Sequence, residues 1–277
     1  MDNTHHIHYV SNNSLVPSII FTSSFIFILL YIFLVIRSNR NKRSWPIFRI
    51  VSLVLAILFI CLPLVGPYSI YSLNKSTFTS HMIGHLLLGM LAPLLIALAA
   101  PLTLLLRSLP TMYARKLTTI LKSKLFFIIT HPIVTALLNI GGLWLLYKTS
   151  LFSWMHMYEW IYWFVHIHVF VAGYLFTISI IYIDPIYHRK STRYRAVVLI
   201  VALAGHSILA KYMYANPPIG ISKEQAERGS MLMYYGGDII DAILIFILCF
   251  QWYTANRPKV IYEKRGSDLI KKLIISP

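Results

Sequence analysis

The chain has 277 residues, 57% of them hydrophobic and 12% charged, with a mean hydropathy of +0.67 and a formal net charge of +16. So low a charge content, about half that of a soluble domain, excludes the ordinary soluble classes. The basic residues fall in short runs between long apolar stretches, which argues against nucleic acid as a partner and for a lipid bilayer.

A spanning helix takes about 20 apolar residues. In chain order, residues 1–14 read as an outer tail carrying His5, His6 and His8, a solvated stretch that could at most capture a metal ion. The tail lacks Lys and Arg, and the apolar run behind it is long enough to span, so no cleavable signal peptide is expected. Seven apolar segments follow, at about 15–36, 45–65, 81–106, 125–147, 160–183, 196–214 and 231–253. The second carries Arg49 one turn from its start, close enough to snorkel, and closes at Gly66-Pro67. The third contains Pro93 and Pro101. Residues 15–254 thus form an all-α bundle of seven transmembrane helices, and 255–277 a basic, weakly amphipathic tail suited to the membrane surface.

Charge sets the expected orientation. The connections after the first, third and fifth segments and the C-terminal tail hold nineteen Lys and Arg, against four (Lys75, Lys148, Lys223, Arg228) on the alternate side. By the positive-inside bias the N-terminus is outside and the C-terminus cytoplasmic. Cys61 and Cys249 then lie near opposite faces, which argues against a disulfide, and no C-x-x-C pair points to thiol chemistry. The two halves show no matched broken helices of an inverted repeat.

Ionisable groups inside spans are costly and face the bundle interior by default. His81 and His85, at i and i+4, share a face of the third helix near its outer end. His166 and His168 lie about two turns into the fifth, Asp238 at similar depth in the seventh with Asp241 one turn deeper, and His206 about two turns below the outer end of the sixth. His85, His166, His206 and Asp238 therefore share one layer. Imidazole with carboxylate is a ligand set for first-row transition metals. The candidate metal site is His81, His85 and His166, joined by His206 and Asp238. His168 points away from His166, so one ion does not use both. His131, at the inner end of the fourth segment, is too distant and reads as structural. Met82, Met90, Met231 and Met233 offer thioether sulfur for a cuprous ion, or simply fill the core.

The block His81-Met-Ile-Gly-His85-Leu-Leu-Leu, with Ala92-Pro93-Leu and Ala100-Pro101-Leu-Thr behind it, resembles the polytopic CtaG family of cytochrome c oxidase assembly factors. His131-Pro132, His166-Ile-His168 with Gly173-Tyr174, Asp184-Pro185, Glu224-Gln225, Gly229 and Tyr234-Tyr235-Gly236-Gly237-Asp238 continue the resemblance in order. Glu224 stands where the family usually has Asp. The resemblance implies a multi-pass protein of the bacterial plasma membrane that serves the respiratory chain, a metallochaperone helping copper reach a caa-type haem–copper oxidase. Its partners would be oxidase subunits. The matching positions are His81, His85, His131, His166, His168 and Asp238.

The residues leave other classes open. A copper or proton transporter needs a polar path across the whole membrane, and the inner half offers little beyond His131. A b-type cytochrome could use His85 with His166 or His206 as axial ligands. A purely structural assembly subunit would use the histidines to lock helix packing. No H-E-x-x-H or G-x-S-x-G occurs, and no enzymatic activity is expected.

Overall fold

The structure is a computed structural model that describes residues 15–41, 44–65 and 77–257. The tail histidines His5, His6 and His8, the Gly66-Pro67 closure and the basic tail beyond Arg257 lie outside the described residues. Those described are helical with short connections and no strand. In order they form α1 (Leu15–Asn41), α2 (Ile47–Val65), α3 (Phe78–Ser108), α4 (Thr111–Leu121), α5 (Lys124–Ile129), α6 (Pro132–Lys148), α7 (Leu151–Met157), α8 (Glu159–Ile180), α9 (Thr192–Ala215) and α10 (Lys223–Asn256).

Six helices, α1, α2, α3, α8, α9 and α10, are long and apolar enough to cross a membrane. The fourth segment read from the sequence is not one rod. It breaks at Thr130–His131 into the short α5 and the longer α6. Pro132 causes the break: it forces His131 into an extended conformation (φ −73°, ψ 127°) and then serves as the first residue of α6. Arg49 has its guanidinium over the Trp45 ring at 4.6 Å, and Arg107 lies over the same ring at 5.1 Å.

α3 is the hub, with α1, α2, α8 and α10 packed along different stretches of it. Its two prolines each interrupt it. Pro93 has no N–H for the Gly89 carbonyl, and its ring crowds that carbonyl. The preceding Leu86–Leu91 widens into a π-helical stretch directly after His85. Further on, Ala100 takes a left-handed conformation (φ 51°, ψ 57°) ahead of Pro101 and bends the helix. The loose backbone groups at the bend find partners. Tyr31 donates to the Ala99 carbonyl at 2.8 Å, and Trp45 donates to Tyr31 at 3.1 Å. Asp184 accepts from the amides of Leu102 (3.2 Å) and Thr103 (2.8 Å) and from the Thr103 hydroxyl (2.6 Å). Burial pushes the Asp184 carboxyl above its ordinary range, and these hydrogen bonds and Arg49 oppose that push.

Small residues let the helices meet. A Cβ on Gly173 of α8 would run into the Gly89 carbonyl, so the backbones of α8 and α3 touch at the π-helical stretch. Thr135 and Ser179 then join α6 to α8 through buried hydroxyls 2.8 Å apart, and Trp144 Nε1 donates to Gly205 O of α9 at 3.3 Å. At the start of α10, Ser222 caps the helix and the exposed Glu224 pairs with Arg228 at 2.7 Å, so Glu224 serves there as well as an Asp would. Cys61 is buried and Cys249 exposed, and neither is bridged.

Three substitutions test the backbone contacts. Gly173→Ala overpacks the α3–α8 contact and should cost about 1–3 kcal/mol, read as a lowered melting temperature in detergent. Gly141→Ala, where a Cβ would meet nothing within 4 Å, should leave the midpoint unchanged or slightly raised. Asp184→Ala strands the Leu102 and Thr103 amides and should also cost about 1–3 kcal/mol.

Candidate metal centre

The histidines of the expected single layer separate into two groups, both anchored on α3. The outer group is His81 with His166 of α8 and His156 of α7. Ring centroids of His81 lie 6.3 Å from His166 and 6.3 Å from His156. The inner group is His85 with His206 of α9, centroids 6.1 Å apart. The i, i+4 spacing puts the groups one helical turn apart, about 6 Å along α3.

Hydrogen bonding fixes which nitrogens are free in the outer group. His166 Nδ1 lies 2.8 Å from the Tyr162 carbonyl and His156 Nδ1 lies 2.9 Å from the Phe152 carbonyl. A carbonyl only accepts, so Nδ1 carries the proton in both rings and Nε2 keeps a lone pair. Tyr147 donates to Met82 Sδ at 3.9 Å and lies 3.0 Å from His81 Nε2. His81 is held by the phenol through Nε2, while His156 and His166 each combine an anchored N–H with an available lone pair, the pattern seen where histidines bind metal.

The inner pair differs. His85 and His206 are 6% and 3% exposed, and the Nε2 of each is buried with no hydrogen-bond partner among the described residues. A stranded buried nitrogen costs about 1–3 kcal/mol and calls for an occupant. Gly237 of α10 makes room for His206, since a Cβ there would stand 2.6 Å from its Cε1.

Three cavities connect the groups. The outermost is lined by His81, His156, His166, Phe152 and Tyr162, and includes Ile221 from the connection before α10. A small middle one is shared by His81, His85, His166, Tyr147 and Val169. The innermost is lined by His85, His206, Asn139, Thr177 and Asp241. Among the described residues, Asp241 is the acidic side chain lining this series.

These positions rearrange the sequence reading. Asp238 is exposed and lines none of the three cavities, while the buried Asp241, one turn on, does. His168 turns to α6, with Nε2 donating to the Leu138 carbonyl at 3.2 Å. His131 sits at the α5–α6 break against Phe127 and Tyr194, away from both groups. Met82 is wholly buried in the outer core, Met233 likewise, Met90 lines the inner cavity and Met231 is exposed. His156 was missed because it lies in a connection. The signal that could have found it is the amphipathic run Phe152–Met155–His156 in a loop facing the His81 end.

An imidazole nitrogen binds a metal at about 2.0–2.1 Å, so rings in line across one ion have centroids about 6.4 Å apart, and about 5.2 Å apart at a tetrahedral angle. The observed separations of 6.1 and 6.3 Å fall within the range over which two rings can share one ion. Among the described residues, no three His, Cys, Asp or Glu converge as a group able to hold a metal ion. Imidazole nitrogens are borderline donors, suited to ions such as copper or zinc rather than to hard cations. Long-range 15N–1H correlation should find the neutral rings of His156 and His166 protonated at Nδ1 and that of His168 at Nε2. The opposite tautomers would contradict the hydrogen bonds described.

A family model described as cytochrome c oxidase caa3 assembly factor (Caa3_CtaG) matches residues 29–255, which include all of the helices lining the three cavities. No curated protein and no solved structure matches the chain. The family match covers most of the chain, including both histidine groups, and the chain belongs to the caa3-type cytochrome c oxidase assembly factor family.

Proposed function

We propose that this assembly factor binds copper through its intramembrane histidines and helps metallate the haem–copper oxidase it serves. The observation that carries the reading is the approach of His81 to both His156 and His166 at one end of α3, ring centroids 6.3 Å apart in each case, with Nδ1 of His156 and His166 anchored on carbonyls and their Nε2 lone pairs available. Copper is cargo here, so the protein acts without catalysing a reaction. Imidazole pairs bind cuprous ion and give it up more readily than a closed thiolate cage would. Exposed His156 at the rim suits exchange with an oxidase subunit.

The topology belongs to the same reading. α6, 17 residues long, is close to the shortest stretch that spans. Taken with the six longer helices it makes seven crossings, with the N-terminus outside and the basic connections in the cytoplasm of a bacterial plasma membrane. The gathering of Arg49 and Arg107 on Trp45, and of Arg189 and Arg195 on Tyr182, supports an arginine-rich end away from the two histidine groups.

The test combines metal and oxidase readouts. Wild type and His81→Ala/His166→Ala would be purified in mild detergent, loaded with cuprous ion under reducing conditions, desalted and assayed for copper per chain. Both would also be expressed in cells lacking this factor, and caa-type oxidase activity measured. The expected result is retained copper and an active oxidase for wild type, with at least about a tenfold loss of outer-site affinity in a variant of unchanged melting temperature. Equal, negligible copper in both proteins would overturn metal binding and leave a packing role for the histidines.

A further inference from the structure

The geometry points to two copper stations in series within this chain: an outer one on His81 and His166 with His156 at its mouth, and an inner one on His85 and His206. The inference rests on the copper reading above and gives it a direction. Three observations carry it. The histidines occur as two separated pairs, with ring centroids 6.3 and 6.1 Å apart, close enough for the members of each pair to share one ion. The middle cavity is lined by members of both pairs, His81, His85 and His166, so one space borders the two stations. The buried Nε2 atoms of His85 and His206 have no partner in the described residues, which a ligated ion would supply.

Charge distinguishes the stations. A cuprous ion held by two neutral imidazoles keeps its single positive charge, which is costly to bury. Asp241 borders the inner cavity with Asn139 and Thr177, giving that charge a carboxylate counter-ion and polar neighbours. The outermost cavity has no acidic residue in its lining and opens beside the exposed His156. Passage is a ligand exchange without a redox step. The ion leaves one imidazole of the outer pair as it gains one of the inner pair, and the i, i+4 pair His81 and His85 on one helical face makes that hand-over a move of about one turn.

The experiment is an anaerobic titration of the full chain in detergent with cuprous ion, against a chromophoric chelator. Wild type is compared with His81→Ala/His166→Ala, His85→Ala/His206→Ala and Asp241→Asn, with circular dichroism and melting temperature as controls for folding. Wild type is expected to hold about two ions per chain and each double variant about one, with X-ray absorption reporting low-coordinate nitrogen ligation. The inner site of the outer-pair variant should fill at least about tenfold more slowly, and Asp241→Asn should weaken the inner site alone. One ion in wild type, lost equally in both double variants, would overturn the series while sparing copper binding. No ion in wild type would overturn both readings. Should a double variant fold poorly, His85→Gln/His206→Gln serves in its place, and retention of two ions there would equally overturn the inner station.

Discussion

The arrangement depends on a hydrogen bond that Pro93 cannot make. Without an N–H at that position the Gly89 carbonyl loses its helical partner, and α3 widens over Leu86–Leu91. The widened stretch begins immediately after His85. It is also where α8 comes closest, because Gly173 presents no Cβ to the Gly89 carbonyl. One missing donor thus sets the shape of the hub helix beside its second histidine and positions the helix that carries His166. At the other proline the deficit is made up differently: Asp184 accepts from the Leu102 and Thr103 amides and Tyr31 donates to the Ala99 carbonyl, so polar groups from outside α3 satisfy the bend at Ala100. The first interruption opens space around histidines, and the second closes the inner end of the bundle.

The polar groups of the outer half are satisfied unevenly. Around His81, each ring N–H and hydroxyl has a partner, down to the Met82 sulfur. Around His85 and His206, two ring nitrogens lack one among the described residues. A bundle that used histidines only as packing groups would be expected to pair them with carbonyls, as His168 is paired with Leu138. The same fold therefore contains histidines anchored on carbonyls and two, His85 and His206, whose Nε2 atoms are not.

Much of this was legible in the sequence, because apolar length and charge placement depend on the bilayer rather than on tertiary packing. Rise per residue set the histidines at about one depth, too coarsely to separate groups that lie one helical turn apart. What depth does not carry is azimuth. Asp238 and Asp241 differ by three residues, and only the packing of α10 against α3 and α9 decides that the second meets the cavity and the first does not. The continuous fourth span was read through Pro132 because hydropathy registers its apolar neighbours and not its missing N–H. His156 was invisible for the opposite reason: residues outside spans carry no desolvation argument until the fold brings them over a cavity.

The length of α10 has a consequence for access. Its 34 residues extend about 51 Å, against a hydrocarbon thickness of about 30 Å, so some turns must stand clear of the acyl chains even if the helix tilts. Its first turns carry Lys223, Glu224, Glu227 and Arg228, side chains at home among headgroups and water. Phe78 at the start of α3 packs on Gly229 at that level, and Ile221 just before α10 borders the outermost chamber. The outermost chamber thus lies beside the charged first turns of α10, the part of that helix suited to the headgroup zone. A water-borne domain can reach it from the aqueous side without entering the hydrocarbon.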